Sequence, residues 1–341
     1  MRKVRVTIGL VIVGLLLITG MAMAGGGGEK KSEPVSRKKD KYVVGFTQIG
    51  SESEWRIANT EEILAAYNAH PRFSILFSDA QQKQENQIAA LRNFIQQKVD
   101  AILLPAIVAT GWDAVLIEAK EAGIPIINYG RLASMVTGNI EDYLLCIVSP
   151  DNVYAGEALA QVFIDSFGNE PGPIYVVELT GTVGASSAVD RGTGIKNVLS
   201  KQNRIVVRYS QTGDYTRSTA KQVMESILKT AQADGVKIRG LISHSDDMAI
   251  GASQAIAEAG LRPGVDVKIV GIDGVRGAFE AMVEGRYTAT VENPLGYGDK
   301  TIEILLDYLD NGKEPAEFWV KLKNAVFTEK DAAAVLPTRK Y

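Results

Sequence analysis

The chain has 341 residues, 40 acidic and 37 basic side chains, and a formal net charge of −3. No basic patch stands out, which argues against nucleic acid and anionic membrane surfaces as partners. A single cysteine and two histidines exclude an internal disulfide and give no metal cluster or nucleophile–base pair. We therefore predict a protein without catalytic activity, cofactor or metal.

The beginning of the chain has the three parts of a secretory signal. Arg2, Lys3 and Arg5 form a basic start, residues 8–18 are apolar, and a small-x-small cleavage site ends at Ala24. The apolar run is short for a membrane span. We expect export to a periplasm-like space with cleavage after Ala24. No cysteine follows the apolar run, so no lipid attachment is expected there. A signal that stays uncleaved as an anchor is the alternative.

The signal is followed by a segment without a packed pattern. Residues 25–40 are four glycines and then a charged stretch with Ser and Pro, which is typical of a flexible linker. The folded part is expected to begin near Lys41. The 317 residues after the signal carry a formal charge of −6 and exceed the usual size of one hydrophobic core. Two lobes are therefore expected.

Strand and helix patterns alternate through the rest of the chain. The predicted strands are 42–46, 74–77, 101–104, 124–128, 146–149, 174–179, 205–209, 240–243, 268–272, 288–291 and 318–322. The predicted helices are 55–69, 85–97, 112–122, 153–167, 188–199, 218–233, 248–259, 277–284 and 297–309. This alternation predicts an α/β fold of two doubly wound parallel-sheet lobes joined by a multi-strand hinge.

The repeat of the pattern sets the expected domain boundaries. Residues 1–24 are the signal and 25–40 the linker. The N-terminal lobe is expected to comprise 41–148 and about 294–322, and the C-terminal lobe 149–293 and about 323–341. The last predicted helix and strand follow both lobes, so the chain would cross between the lobes more than once.

Polar residues are concentrated just after the predicted strands. In open parallel sheets, ligands bind at the carboxyl ends of strands. Three arginines, several carboxylates, amides and a tryptophan fall at these positions. Arginine and carboxylate bind neighbouring hydroxyl groups as forked donors and acceptors, and an indole face packs on the C–H face of a sugar ring. The set favours a polyhydroxylated ligand.

Structural explanations exist for individual candidates. Asp246 stands where a helix begins and fits an N-cap. Trp55 fits core packing, and Arg191 fits an ion pair with Asp190. Asp273 fits the start of a turn. The shared location of these residues, rather than any single one, favours a binding site.

Several segments together resemble one family. They are 45–56 (GFTQIGSESEWR), 81–87 (QQKQENQ), 108–112 (VATGW), 178–186 (ELTGTVGAS), 190–191 (DR), 214–218 (DYTRS), 244–248 (HSDDM) and 271–274 (GIDG). In this order they resemble the type I periplasmic sugar-binding proteins, the ribose/galactose-binding family, and within it the galactofuranose-binding members of ABC importers. The fold implied is the periplasmic binding protein-like I fold.

The resemblance implies a set of ligand-binding residues in both lobes. For the N-terminal lobe they are Glu52, Trp55, Arg56 and Arg131; for the C-terminal lobe they are Asp190, Arg191, Ser245, Asp246, Asp273, Glu292 and Asn293. Two positions depart from the family pattern, because Gly130 stands where the family has Asp and Ser245 where it has Asn. These departures leave the sugar and its ring form open.

The function implied is that of an extracytoplasmic solute-binding protein of an ABC transporter. It would capture a monosaccharide, galactofuranose-like or another pentose or hexose, by hinge closure and deliver it to the permease and its cytoplasmic ATPase. A monomer is expected. The alternatives are a sugar-sensing adaptor for a chemoreceptor or sensor kinase, or a binding protein for a polyol or autoinducer. Two further hypotheses are disfavoured. An exported sugar-active enzyme would need an acid–base pair, which the sequence does not offer. The ligand-binding half of a transcription repressor would follow a helix-turn-helix, and this chain has a signal there instead.

Overall fold

The computed structural model of the protein describes residues 38–341. The predicted signal and most of the predicted linker lie outside the described residues. Within residues 38–341, no helix is long and apolar enough to cross a membrane.

Twelve strands and ten α-helices alternate along the described part of the chain. The strands are β1 (Tyr42–Gln48), β2 (Phe73–Asp79), β3 (Ala101–Leu104), β4 (Ile126–Tyr129), β5 (Cys146–Pro150), β6 (Ile174–Thr180), β7 (Ile205–Thr212), β8 (Ile238–Ser243), β9 (Lys268–Asp273), β10 (Ala289–Glu292), β11 (Trp319–Leu322) and β12 (Val326–Thr328). The helices are α1 (Glu54–Ala69), α2 (Gln84–Gln96), α3 (Asp113–Glu121), α4 (Asn152–Asp165), α5 (Ser186–Leu199), α6 (Arg217–Ala233), α7 (Asp246–Glu258), α8 (Arg276–Val283), α9 (Tyr297–Asn311) and α10 (Glu329–Val335).

The strands form two six-stranded sheets. The first has the order β11-β5-β4-β3-β1-β2 and the second the order β12-β10-β9-β8-β6-β7. Neighbouring strands are parallel except β10 and β12, which are antiparallel. We call the first sheet with its helices the N-terminal lobe and the second the C-terminal lobe. The chain passes between the sheets after β5, β10 and β11. The predicted α/β class with two parallel-dominated sheets is confirmed.

The central strands are apolar because helices cover both faces of each sheet. All four residues of β3 are buried. Leu103 packs on one face with Ile63 of α1, while Ile102 and Leu104 pack on the other face with Phe94 of α2. Alternate residues of β3 thus pack against helices on opposite faces of the sheet.

Among the differences between the structure and the sequence prediction, two have a local physical reason. Strand β4 begins two residues later than expected, because the Ile124 amide donates to the Ala119 carbonyl at the end of α3 and Pro125 has no amide proton. Strand β12 and helix α10 were not predicted. Strand β12 has only three residues and partly exposed side chains, so it carries little hydrophobic pattern. Cys146, in β5, is buried and unpaired.

Candidate functional site

A polar cavity lies where the carboxyl ends of the two sheets face each other. Its lining residues are Glu52, Ser53, Trp55, Arg56, Gly130, Arg131, Asn152, Ser187, Arg191, Tyr215, Asp273 and Asn293. The enclosed space is about 30 Å³, room for the centres of about two water molecules. The cavity is thus nearly closed.

One carboxylate and two guanidinium groups form the wall from the N-terminal lobe. Glu52 follows β1, Arg56 lies in the first turns of α1, and Arg131 follows β4. Oε1 of Glu52 accepts from Nε of Arg56 at 3.3 Å and from Nη2 of Arg131 at 3.1 Å. Ser53 caps α1 by accepting from the Arg56 amide, which orients the start of the helix.

The wall from the C-terminal lobe is built around Arg191 of α5. Its Nε donates to Oδ1 of Asn152 at 3.0 Å, and its Nη1 donates to the carbonyl oxygen of His244 at 2.5 Å. Oδ1 of Asp273 lies 3.7 Å from the same Nη1. Nδ2 of Asn293 lies 3.5 Å from Oδ1 of Asp273. The guanidinium is therefore held at a defined angle toward the cavity.

Two aromatic side chains complete the lining. Trp55 is buried, and its indole Nε1 donates to the Asn293 carbonyl oxygen at 2.7 Å. Trp55 thus lines the cavity and also packs in the core, edge-on against Tyr297. The Tyr215 ring lies under the guanidinium of Arg131, 4.5 Å from its Cζ. Its hydroxyl is 2.9 Å from the Ser187 hydroxyl.

Burial shapes the ionisation of the site. Burial raises the pKa of Asp273 to about 8, and Arg191 only partly opposes this rise. Burial also disfavours the charged form of Glu52, but the adjacent Arg56 and Arg131 outweigh it and lower the pKa of Glu52. Burial lowers the pKa of Arg131, with Glu52 opposing the change. The pKa values of the two acids of the cavity, Asp273 and Glu52, are thus shifted in opposite directions.

Four residues of the predicted set are outside the cavity lining. Asp246 is fully buried behind Asp273 and accepts from Tyr287, Thr290 and the amides of 274 and 275. Ser245 caps α7, the role that the sequence suggested for its neighbour Asp246. Both residues lie at the start of α7, inside the C-terminal lobe, so their side chains face the interior of that lobe and not the cavity.

The other two residues face different partners. Asp190 is on α5, one residue before Arg191 and thus turned about 100° around the helix, and burial raises its pKa. The expected ion pair between the two neighbours does not form among the described contacts, since Arg191 pairs with Asp273. The carboxylate of Glu292 pairs with Arg339 near the chain end.

The structure adds residues that sequence reasoning did not assign to the site. Asn152 follows β5, Ser187 lies in the first turn of α5, and Tyr215 lies between β7 and α6. A polar residue just after a strand was a signal for Asn152. Tyr215 has a positive φ of 58°, and this turn directs its ring under Arg131.

The lobes touch on both sides of the cavity. On one side, the Glu54 amide donates to Oδ2 of Asp247 at 2.8 Å and Arg217 pairs with Glu54 at 2.7 Å. On the other, the Ala109 amide donates to the Gly184 carbonyl at 2.8 Å. These contacts enclose the cavity and define a closed arrangement of the lobes.

Other features do not compete with this site. An open groove of about 680 Å³ runs between α1 and helices α7 and α8, but its charged residues Glu54 and Arg217 already pair with each other. Within residues 38–341, no group of three His, Cys, Asp or Glu residues is placed to hold a metal ion.

Known proteins are similar to this chain in sequence and architecture. Residues 44–314 match the family described as periplasmic binding protein domain. Galactofuranose-binding protein YtfQ of Escherichia coli (strain K12) is 41% identical over 274 residues, which are 80% of this chain and 84% of that protein. The crystal structure of a galactofuranose binding protein superposes with a TM-score of 0.83 at 38% identity, covering 88% of this chain and 98% of that one.

A second solved structure shows the same likeness. The periplasmic binding protein component of the arabinose ABC transporter from Shewanella sp. ANA-3, bound to α- and β-L-arabinofuranose, has a TM-score of 0.81 and 40% identity. It covers 87% of this chain and 95% of that one. The family match extends over most of the chain and includes five strands of each sheet and all the residues that line the cavity. The chain belongs to the periplasmic binding protein domain family.

Proposed function

We propose that this protein is an extracytoplasmic solute-binding protein that captures a monosaccharide between its lobes. The observation that carries the proposal is the closed cavity in which arginines, carboxylates and aromatic rings from both lobes converge. Sugar hydroxyls both donate and accept, so they match forked guanidinium and carboxylate groups. The similar proteins named for galactofuranose and arabinose support a pentose or hexose ligand.

Unpartnered polar atoms support a polar ligand. Oε2 of Glu52, Oδ1 of Asn293 and the hydroxyl of Tyr297 are buried without a hydrogen-bond partner among the described residues. Leaving such a group unpaired costs about 1–3 kcal/mol. Hydroxyl groups of a bound sugar would supply partners, so binding would recover part of this cost.

The number of polar groups is sufficient for useful affinity. Micromolar binding requires about −8 kcal/mol. Six to ten hydrogen bonds to the cavity residues, at about 0.5–3 kcal/mol each, can supply this value after the entropy of binding is subtracted. The aromatic faces of Trp55 and Tyr215 add contact with the C–H surface of the ring.

Capture by hinge closure follows from the shape of the cavity. Contacts between the lobes close both sides of the cavity, so the lobes must separate before a sugar enters. Closure then brings Arg131 of one lobe and Arg191 of the other onto the same ligand. The three passages of the chain between the sheets would form the hinge.

Delivery to a membrane importer completes the proposal. The protein would be exported, lose its signal after Ala24, act as a periplasmic monomer without enzymatic activity, and pass the sugar to an ABC permease with a cytoplasmic ATPase. Its family and the ABC transporter origin of one similar structure support this role. The domain boundaries proposed from the sequence assign one part of the cavity wall to each lobe.

A thermal-shift panel on the purified chain lacking residues 1–24 tests the ligand class. Pentoses, hexoses in both ring forms and polyols are compared with amino acids and nucleotides. At a hundredfold excess over Kd, the right sugar stabilises the protein by about 2.7 kcal/mol, a rise in melting temperature of about 4 °C or more. An Arg191→Ala variant serves as the binding-defective control. A response confined to amino acids or nucleotides would overturn the proposal.

A further inference from the structure

The cavity wall from the N-terminal lobe has more positive charge than negative charge. Glu52 is its single carboxylate among the lining residues, and one oxygen, Oε1, serves both Arg56 and Arg131. These two guanidinium groups are about 5% exposed or less. One buried carboxylate thus compensates two buried cations, and an incompletely compensated buried charge is costly.

Gly130 adds no charge to this wall. It lies next to Arg131 in the lining and has no side chain. A Cβ built on Gly130 would meet, as its one neighbour within 4 Å, the Tyr297 hydroxyl at 3.9 Å. That hydroxyl is buried and unpartnered among the described residues. The corner therefore offers a phenol hydroxyl, which can donate, and no carboxylate besides Glu52.

The opposite wall does not correct the imbalance. In the C-terminal lobe the one carboxyl group of the lining, Asp273, lies 3.7 Å from Arg191, and burial disfavours its charged form. Asp246 adds a second carboxylate behind Asp273, but Tyr287, Thr290 and two backbone amides occupy both of its oxygens. It has no remaining capacity to accept from a ligand in the cavity.

The ring of Tyr215 compensates Arg131 only in part. A guanidinium over an aromatic face is attracted by the ring, but the ring carries no net charge. Arg131 has five N–H donors, and the bond to Glu52 is the one hydrogen bond of its side chain among the described residues. The remaining donors are left for the cavity.

We propose that the ligand carries a carboxylate that binds Arg131 and Arg56 beside Gly130, as in a uronic or aldonic acid. This inference rests on the proposed function. A carboxylate only accepts hydrogen bonds and matches the guanidinium fork in geometry and charge. A neutral hydroxyl at the corner finds one free acceptor, Oε2 of Glu52, and further hydroxyl protons there stay unpaired.

Calorimetric titration with matched pairs of neutral and acidic sugars tests the inference. The pairs are galactose and galacturonate, glucose and glucuronate, and arabinose and arabinonate, with galactose 1-phosphate as a second anion. For at least one pair, the acid is expected to bind about tenfold or more tightly than its neutral partner. The sugar phosphate is expected to bind more weakly than that acid.

Two variants at one position separate charge from volume. Asp and Asn are nearly isosteric, and both tolerate the φ of +64° at Gly130. Gly130→Asp is expected to weaken binding of the acid about tenfold more than Gly130→Asn does, and to favour the neutral partner. Thermal melting checks that each variant is folded; if either is not, the matched pairs on the unchanged protein decide.

The outcomes are distinct for the two proposals. Neutral sugars that bind as tightly as their acids in every pair, a tighter sugar phosphate, or equal effects of Asp and Asn would overturn the carboxylate inference and leave sugar binding intact. If no neutral or acidic sugar binds, the proposed function itself fails.

Discussion

Arg191 is oriented by groups from three separate segments: the Asn152 amide oxygen, the His244 carbonyl and the Asp273 carboxylate. None of these partners is near it in sequence. A residue whose angle is set by three bonds before a ligand arrives loses little conformational entropy on binding. Its removal also leaves polar partners unpaired inside the protein.

Replacing Arg191 with Ala should therefore affect both binding and stability. We expect a loss of more than about 2 kcal/mol in ligand binding, because forked bonds to sugar hydroxyls disappear. We expect the free energy of unfolding without ligand to fall by about 1–3 kcal/mol, because Asn152 and the His244 carbonyl lose their donor. Calorimetric titration and chemical denaturation measure the two effects. Arg208 is an exposed arginine paired with Asp234, and the control variant Arg208→Ala should change neither binding nor stability. Unchanged binding in Arg191→Ala would show that Arg191 does not belong to the site.

Asp273 should make stability depend on pH. Its pKa is raised by burial to about 8 in the folded protein, against about 3.9 in the unfolded chain. The folded state thus binds more protons between these values, so the contribution of Asp273 to stability is full below about pH 4 and is lost as pH rises through about 8.

Comparison of the unliganded protein with an Asp273→Asn variant isolates this contribution. The difference in the free energy of unfolding between the two proteins is expected to change in the variant's favour as pH rises from about 4 to about 8. Asp246, with a pKa near 6, and Glu52, with a lowered pKa, are present in both and cancel. Parallel pH profiles would show that Asp273 is ionised throughout.

At the scale of elements, helices α4 and α5 make an unusually close contact that positions the site. A Cβ on Gly156 would lie 2.1 Å from the carbonyl oxygen of Arg191, and one on Gly194 would lie 2.0 Å from that of Val153. Only glycine permits this approach of the two backbones. Helix α5 carries both Ser187 and Arg191 into the cavity, so the helix spacing sets their depth.

A Gly156→Ala variant is expected to push α5 away and lower both stability and ligand affinity, with a cost of about 1–3 kcal/mol in unfolding free energy. Thermal melting and titration check this. Gly192→Ala on the same helix is the matched control, because the nearest atom to its new Cβ is 3.4 Å away, an ordinary contact. Equal behaviour of the two variants would contradict the role of the helix contact.

In the molecule as a whole, contacts between the lobes stabilise the closed arrangement. Arg217 of the C-terminal lobe pairs with Glu54 of the N-terminal lobe, and neither lines the cavity. A contact that stabilises the closed state raises the fraction of binding-competent protein, and apparent affinity changes with that fraction.

Arg217→Ala should therefore weaken ligand binding without altering the cavity. Because Arg217 is about 40% exposed, the effect is expected to be at most about 1 kcal/mol, or a few-fold in Kd. Small-angle scattering should show the radius of gyration falling on ligand saturation in both proteins, with more ligand needed in the variant. Arg276→Ala, whose partner Glu280 is on the same helix, is the control and should bind normally. A radius unchanged by a ligand that demonstrably binds would contradict hinge closure.

The α/β class could be predicted from the sequence, and so could the place of most charged candidates at the carboxyl edge of a sheet. Alternating patterns define strands and helices locally, and parallel strands place the residues that follow them at one edge of the sheet. Glu52, Arg56, Arg131 and Arg191 all meet at the cavity for this reason. The parallel direction of the strands was sufficient to predict the approximate location of these four residues.

Side-chain direction and charge balance were decided by the tertiary structure alone. Asp246 follows a strand like the true lining residues, yet packing of α7 against β9 and β10 turns it into a buried bonding network. Tyr215 enters the cavity through a positive-φ turn that no periodicity signals. The surplus of cations beside Gly130 likewise depends on which groups face one another across the cavity. Such placements are set by contacts between segments far apart in the chain, and a local pattern carries no information about them.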